Sequence, residues 1–261
     1  MEDYGKVSVI MPAYNSGKFI GHAIDSVIAQ TYENWELLIV DDASTDDTRE
    51  IIQNKLNSDQ RIQLFHHSTN LGTQYSRNKA IEKAAGRFIA FLDADDLWIP
   101  EKLEIQLKTL HEQNFQACFS SYDLIDEKGR SLGKTIKALP KLNFQKLLKA
   151  NYVGNLTGIY DTRKIGKIFC PDIAKRQDWA LWLEVIRKGG PITGIQQSLA
   201  KYRVRKNSIS RNKFAMLNYN FRVYHHVLGY GYLHSCWRML IFLKEQFFIK
   251  SKQEISNEPE K

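Results

Sequence analysis

The sequence predicts an α/β protein built on a mostly parallel sheet with helices on both faces. Three observations lead there. Short apolar runs alternate with helix-periodic segments through roughly the first 125 residues. These runs are apolar along their whole length rather than at every second residue, which marks strands covered on both sides. Three of them end in polar clusters: Pro12-Ala13-Tyr14-Asn15, Asp41-Asp42-Ala43-Ser44 and Asp93-Ala94-Asp95-Asp96. Ligands of open α/β sheets bind at the carboxyl ends of the strands, so these clusters mark where chemistry belongs.

The elements follow in order. Val7-Ser8-Val9-Ile10-Met11 is a β-branched apolar run, hence a strand. Phe19, Ile20, Ala23, Ile24, Val27 and Ile28 then recur with helical spacing. Glu36-Leu37-Leu38-Ile39-Val40 is a second strand, ending at Asp41-Asp42. Asp46 or Asp47 caps a helix carrying Ile51, Ile52 and Leu56. Residues 62–65 form a third strand, and a helix from about 75 to 85 stops at Gly86. Phe88-Ile89-Ala90-Phe91-Leu92 is a fourth, wholly apolar strand. Pro100 suits the first turn of a helix with Leu103, Leu107 and Leu110 on one face. Residues 117–122 read as another strand.

Beyond about residue 123 the pattern loosens. Asp126-Glu127-Lys128-Gly129 is a turn, 142–148 a short helix and 154–160 a short strand. Residues 178–188 form a helix bearing Trp179, Leu181, Trp182, Val185 and Ile186, stopped by Gly189-Gly190-Pro191. Residues 211–250 are mostly helical, with a break near Gly229-Tyr230-Gly231. The expected organisation is a regularly alternating half over 1–122, a looser half over 123–205 and a basic amphipathic helical region over 206–261.

Several classes are excluded. A chain of 261 residues buries roughly 75% of its unfolded surface, so no staple is needed. Its three cysteines lie far apart without a C-x-x-C pair, which argues against disulfides or a cysteine zinc site and for a reducing compartment. No basic leader precedes an apolar stretch, so no signal peptide is expected. No run approaches the roughly 20 apolar residues of a spanning helix. G-x-G-x-x-G, G-x-x-x-x-G-K-[ST], H-E-x-x-H and G-x-S-x-G are all missing. His66-His67 and His225-His226 are adjacent pairs, which point to different sides and make poor joint ligands.

The Asp93, Asp95 and Asp96 carboxylates repel one another unless a cation or hydrogen-bond donors offset them. D-x-D spacing puts Asp93 and Asp95 on one side of an extended segment. Oxygen-only ligands suit Mg²⁺ or Mn²⁺, which also bind substrate phosphates. Helix capping before Pro100 accounts for one aspartate, such as Asp96, but not for three. Asp41 or Asp42 is placed to accept from a base N–H or a ribose hydroxyl, or else to form a cap or turn with Ser44-Thr45-Asp46-Asp47. Tyr14 offers a flat face for a base, or packs.

These motifs, with Asn70-Leu71-Gly72 and Arg77-Asn78 between them, resemble the family-2 glycosyltransferases with the GT-A fold, of the bacterial cell-surface polysaccharide or teichuronic-acid type. Further on, Arg176-Gln177-Asp178-Trp179 is similar to the family's acceptor-side motif, and Tyr202-Arg203 with Ser208-Ile209-Ser210 to the loop after it. The resemblance implies a nucleoside-diphosphate sugar donor, with UDP favoured. It implies that Pro12, Ala13 and Tyr14 line the base and ribose, and that Asp42 or Asp41 accepts from the base with Asn70 and Arg77 nearby. It places Asp93 at the ribose or a metal-bound water and Asp95 on the metal. Gln177, Trp179, Tyr202 and Arg203 fall on the acceptor side. Asp178 becomes the catalytic base; Gln177 stands where many relatives carry Glu and cannot take a proton. A single base fits an inverting displacement, whereas a double displacement needs a nearby nucleophile. Asp178 can also serve as a helix cap.

The net charge of +8 is concentrated. Residues 205–252 hold nine Lys/Arg and one acid, Glu245, beside Trp237, Phe242, Phe247 and Phe248. Such a basic aromatic segment lies on an anionic membrane surface, or packs on the catalytic domain or in an oligomer interface. The reading is a cytoplasmic, peripheral enzyme, dependent on Mn²⁺ or Mg²⁺, extending a glycan or lipid-linked acceptor. A nucleotidyltransferase is disfavoured because Tyr14-Asn15-Ser16-Gly17-Lys18 is no Gly-rich basic loop. A non-catalytic sugar-nucleotide-binding subunit is disfavoured by the intact aspartates. Nucleic-acid binding is opposed by the acidic strand ends.

Overall fold

A computed structural model describes residues 2–205 and 213–256. The expected motif at Ser208-Ile209-Ser210 lies outside the described residues. The chain runs β1 (Val7–Ala13), α1 (Gly17–Ile28), β2 (Trp35–Asp41), α2 (Thr48–Ser58), β3 (Ile62–His66), α3 (Thr73–Lys83) and β4 (Phe88–Phe91). Strands β3-β2-β1-β4 are parallel neighbours. Every residue of β1, β2 and β4 is buried, as runs without alternation require. Ile10, Leu38, Val40, Ile89 and Phe91 point to one face, against Ala80 and Ile81 of α3. Val7, Val9, Met11, Leu37, Ile39 and Ala90 point to the other, against Ile20, Ala23, Ile24 and Val27 of α1.

The second half follows as β5 (Leu97–Trp98), α4 (Lys102–Glu112), β6 (Ala117–Ile125), β7 (Ser131–Ile136), β8 (Lys141–Leu142), α5 (Phe144–Leu147), β9 (Ile159–Asp161), α6 (Thr162–Ile165), α7 (Gln177–Gly189) and β10 (Ile192–Arg203). Here the sheet stops being parallel: β9 lies antiparallel between β4 and β6, and β7 is antiparallel to β6. Only β10 runs parallel to β6. The strand expected over 154–160 is confined to β9, behind a 3₁₀ turn at Asn155–Thr157. A Cβ on Gly158 would come within 2.0 Å of the Trp182 ring, so glycine is required where α7 meets this turn. β10 was not expected. Its pairing with β6 shifts register between Ile195 and Ser198 and again before Lys201, and such bulges erase the period-2 signal.

The C-terminal region is α8 (Lys213–Arg222), a π turn at Val223–Val227, α9 (Tyr232–Phe248), a 3₁₀ turn at Lys250–Gln253 and β11 (Glu254–Ser256). It is fastened to the core. Phe242 and Tyr224 pack on Trp179, with ring centroids 5.8 and 5.5 Å away. The Tyr224 hydroxyl donates to the Leu148 carbonyl at 2.8 Å. Glu245 accepts from Lys146 Nζ at 2.5 Å and from the Tyr152 hydroxyl at 2.6 Å. β11 then extends the sheet antiparallel to β7. No helix among the described residues is long and apolar enough to cross a membrane.

Candidate active site

Parallel register brings the strand ends together. Ala13 of β1 stands opposite Asp41 of β2, and Asp41 opposite His66 of β3. Pro12 and Ala13 are buried in β1, while the Tyr14 ring emerges at its end, 49% exposed. Asn15 and Ala43 both adopt left-handed backbone, φ 45° and 60°, a conformation that costs non-glycine residues on the order of 1–3 kcal/mol and clusters at functional sites. Their loops are knitted together: Asn15 N donates to Ser44 Oγ at 3.0 Å, and Thr45 N to Asn15 Oδ1 at 2.9 Å.

Asp42 clamps the next loop. Its two carboxylate oxygens accept from Leu71 N at 2.9 Å and Gly72 N at 2.7 Å, and Asn70 Nδ2 donates to its carbonyl at 3.3 Å. Gly72 needs its φ of +102° to turn both amides inward. Asp41 lies beneath, buried, with Oδ1 accepting from Ser44 N at 3.3 Å and Oδ2 without a hydrogen-bond partner.

Beyond β4 the three carboxylates divide their partners. Asp93 accepts from Arg77 Nη2 at 2.6 Å. Burial works against the charge of the Arg77 guanidinium, yet Asp93, with Cys170 and Asp178, holds its pKa above the ordinary value. Asp95 meets Arg205 Nε at 2.8 Å; burial raises its pKa, Arg205 opposes and Asp93 adds to the rise. Asp96 is buried and pushed well above the carboxylate range by burial, then by Asp95 and Asp93. It accepts from the Arg203 amide at 2.9 Å, so it fastens β10 rather than capping the helix near Pro100. Arg203, expected on the acceptor side, braces this region. It is buried, with Nε donating to the Asp95 carbonyl at 2.7 Å and Nη1 to the carbonyls of Asp126 and Glu127 at 3.1 Å.

Among the described residues no three His, Cys, Asp or Glu side chains converge on one point. Magnesium and manganese do not demand that, since they use one or two carboxylates with waters and substrate phosphates. Burial first, and neighbouring carboxylates after it, raise the carboxyl groups of Asp95 and Asp96, and a cation would offset both effects. Asp93 and Asp95 retain partial exposure while Asp96 is buried, so the first two fit a hard divalent ion.

Residues expected on the acceptor side lie at the start of α7. Arg176 precedes it in left-handed backbone, φ 66°. Asp178 lies in the first turn, and its Oδ2 accepts from Asn151 Nδ2 at 2.8 Å. Gln177 is buried. Trp179, expected on the acceptor side, is fully buried, and its Nε1 donates to the Leu147 carbonyl at 2.8 Å. Tyr202 packs edge-on against Tyr122, 6.1 Å between centroids, and burial pushes its phenol up to about 12. The two halves are tied by α3. Asn78 exchanges hydrogen bonds of 2.9 and 2.7 Å with the Cys170 backbone, and Gln74 donates to Asp172 at 2.7 Å. The loop leading into Arg176 is thereby held against the helix that carries Arg77. Sequence reasoning missed Asn151, which stands in an unpatterned loop, and Arg205, one cation among the many of its segment.

Residues 8–168 match the family model for glycosyl transferase family 2. The protein belongs to that family. This glycosyltransferase is 39% identical to the Bacillus subtilis protein TuaG, assigned by its name to teichuronic acid biosynthesis, over 91% of this chain and 94% of that one. It is 40% identical to an Escherichia coli protein, the UDP-Glc:α-D-GlcNAc-diphosphoundecaprenol β-1,3-glucosyltransferase WfgD, over 83% and 84% of the two chains. Staphylococcus aureus TarS, solved with UDP-GlcNAc, superposes with a TM-score of 0.74 at 21% identity, covering 93% of this chain and 73% of that one. That likeness shows the GT-A fold.

Proposed function

We propose that this glycosyltransferase moves a sugar from a UDP-sugar to a hydroxyl of a lipid-linked glycan in cell-surface polysaccharide synthesis, with inversion. One observation carries the reading: α3 holds Arg77 on Asp93 and, through Asn78, the Cys170 backbone of the segment leading to Asp178, so one helix supports both the donor-side and the acceptor-side carboxylates. Tyr14, Asp41, Asp42 and Asn70 form the nucleotide end, where Tyr14 stacks on the base and the carboxylates accept its N–H. Asp42 fixes the 70–72 loop and keeps lone pairs for that contact. Asp93 and Asp95 would hold Mn²⁺ or Mg²⁺. Such an ion, when bound, offsets charge growing on the departing diphosphate. Asp178 takes the acceptor proton, and Asn151 orients its carboxylate so that the free oxygen faces the hydroxyl. The name of WfgD supports a lipid-linked acceptor, and that of TuaG a role in cell-surface polysaccharide synthesis.

The C-terminal region supports a membrane location. Leu233, Trp237, Leu240, Phe247 and Phe248 of α9 recur at helical spacing and are 60–84% exposed. Glu245, the one acid of the basic segment, is turned inward to Lys146 and Tyr152. The outer face of α9 is therefore apolar and aromatic around Lys244, a composition that lies in an anionic head-group plane. The decisive experiment is a donor screen with purified protein, Mn²⁺ or Mg²⁺, a panel of sugar nucleotides and a lipid-linked acceptor. UDP release with one UDP-sugar is expected; release only from GDP- or TDP-sugars overturns the donor, and release without transfer overturns the acceptor.

A further inference from the structure

Two cations, Arg176 just before α7 and Lys250 over the Tyr152 ring, are left unused by the reaction so far. Arg176 precedes α7, and its Nε is buried and without a hydrogen-bond partner among the described residues. Lys250 arrives from the opposite end of the sequence. Packing of α9 through Phe242 and Glu245, and pairing of β11 with β7, fix the 3₁₀ turn that presents it. Its Nζ stands 6.0 Å from the centre of the Tyr152 ring, and Tyr152 adjoins Asn151, the residue bonded to Asp178. No acid pairs with Lys250 among the described residues. Burial pushes its ammonium down to about 8; Arg176 pushes it the same way and Asp178 only partly opposes them. Burial likewise lowers Arg176, against Asp178. Two desolvated cations near a single carboxylate leave unbalanced positive charge, which an anion would relieve.

We propose that Arg176 and Lys250 form a binding site for the phosphate group that joins the acceptor sugar to its carrier. The inference rests on the reading above, that Asp178 is the base and the acceptor is lipid-linked. Its chemistry follows from distance along the acceptor. The attacking hydroxyl must meet Asp178, and a phosphate on the anomeric carbon of the same sugar lies one pyranose ring away. Cations flanking the base are placed for that phosphate, whereas the donor diphosphate belongs to the Asp93–Asp95 side. A neutral glycan end has nothing to offer these cations. Lys250 also belongs to the segment whose outer face is bare and apolar, so one element would dock on the membrane and receive the head of a lipid anchored there.

The test uses the full chain saturated with UDP and Mn²⁺, so that the donor site is filled. It is titrated with GlcNAc α-diphosphate carrying a short alkyl chain, and with the neutral alkyl glycoside of GlcNAc. The wild type is expected to bind the diphosphate compound about tenfold or more tightly, the scale of one hydrogen bond to a charged group. Lys250→Gln and Arg176→Gln should each abolish most of that preference and leave UDP affinity unchanged. Absence of the preference in the wild type, or its survival in both variants, overturns the proposal. Phosphatidylglycerol vesicles form the second arm: if the variants lose vesicle binding and keep the sugar-diphosphate preference, the cations serve a lipid head group and the acceptor assignment fails. The titration is repeated without UDP, so failure of the donor reading is seen separately and leaves the comparison intact.

Discussion

The donor half and the C-terminal region use the same amino acids to opposite ends. In the first half, polar side chains at the strand ends hold neighbouring loops and one another: Ser44 and Asn15 accept from the Asn15 and Thr45 amides, Asp42 from the Leu71 and Gly72 amides, and Asp93 from the Arg77 guanidinium. In the C-terminal region the polar contacts face inward, at Glu245, Gln253 and Tyr224. Its large apolar side chains are divided, Phe242 buried against Trp179 and Trp237, Phe247 and Phe248 left bare. The donor half spends its polarity on a site and its apolarity on a core. The C-terminal region leaves Trp237, Phe247 and Phe248 exposed after its core contacts are made, and contiguous exposed apolar surface is where partners or membranes bind.

If this division is right, chemistry and docking can be broken separately. The largest effect is expected at Asp178. Asp178→Asn keeps the shape and the Asn151 neighbour but cannot accept a proton, so transfer should fall by roughly 10²–10⁴-fold while UDP binding persists. Single-turnover transfer beside UDP calorimetry measures both, and near-wild-type transfer would move the base elsewhere. Asp95→Asn comes next. An amide oxygen is a poorer partner for a hard cation, so Mn²⁺-dependent UDP affinity should drop by more than about 10-fold, the lower cost of losing even an outer-shell partner. Calorimetry with and without Mn²⁺ checks it; equal affinities in the variant and the wild type remove Asp95 from the metal.

The strands and helices of the first half were legible because strands buried on both faces leave an unbroken apolar run, and because the polar residues at their ends stand out against it. Legibility failed where one residue type serves two ends. Trp179 next to Asp178 reads as part of a site, yet its indole is the platform for Tyr224 and Phe242. Arg203 beside Tyr202 reads as an acceptor contact, yet it ties the Asp95 carbonyl to the 126–127 turn. The bulged pairing of β10 hid a twelve-residue strand. Lys250 was one of nine cations in its segment, and only the return of the chain through β11 distinguishes it from the others.

The inner face of α9 gives a moderate effect. Glu245→Gln replaces a buried carboxylate that accepts from Lys146 and Tyr152, at a cost of about 1–3 kcal/mol. Burial raises the Glu245 pKa, but the bonds from Lys146 and Tyr152 outweigh it and hold the group below its ordinary 4.5. A carboxyl depressed in the folded state adds stability above its unfolded pKa and loses it as pH falls through the folded value. The stability gap between wild type and Glu245→Gln should therefore be full at pH 7 and close below about pH 4.5. Thermal unfolding of both proteins across that range decides it; a gap that persists at low pH assigns the cost to packing.

The outer face should give the smallest effect on the fold and a clear one on docking. Trp237, Phe247 and Phe248 are 61%, 62% and 70% exposed, and surface substitutions of this kind usually change stability by within about 0.5 kcal/mol each. Changing all three to Ser should leave unfolding nearly unmoved and UDP binding intact. Partition onto anionic vesicles should nevertheless weaken by about tenfold or more, because burying one such side chain is worth roughly 1.5–3 kcal/mol when complete. Salt should weaken the residual binding further, since the Debye length shrinks to about 3 Å at 1 M and Lys244 and Lys252 act through charge alone. Binding that resists salt but fails in the triple variant would make the aromatics the anchor and the lysines incidental. Unchanged vesicle binding with a large loss of stability would instead show that this face packs against protein, and would join α9 to the core on both of its sides.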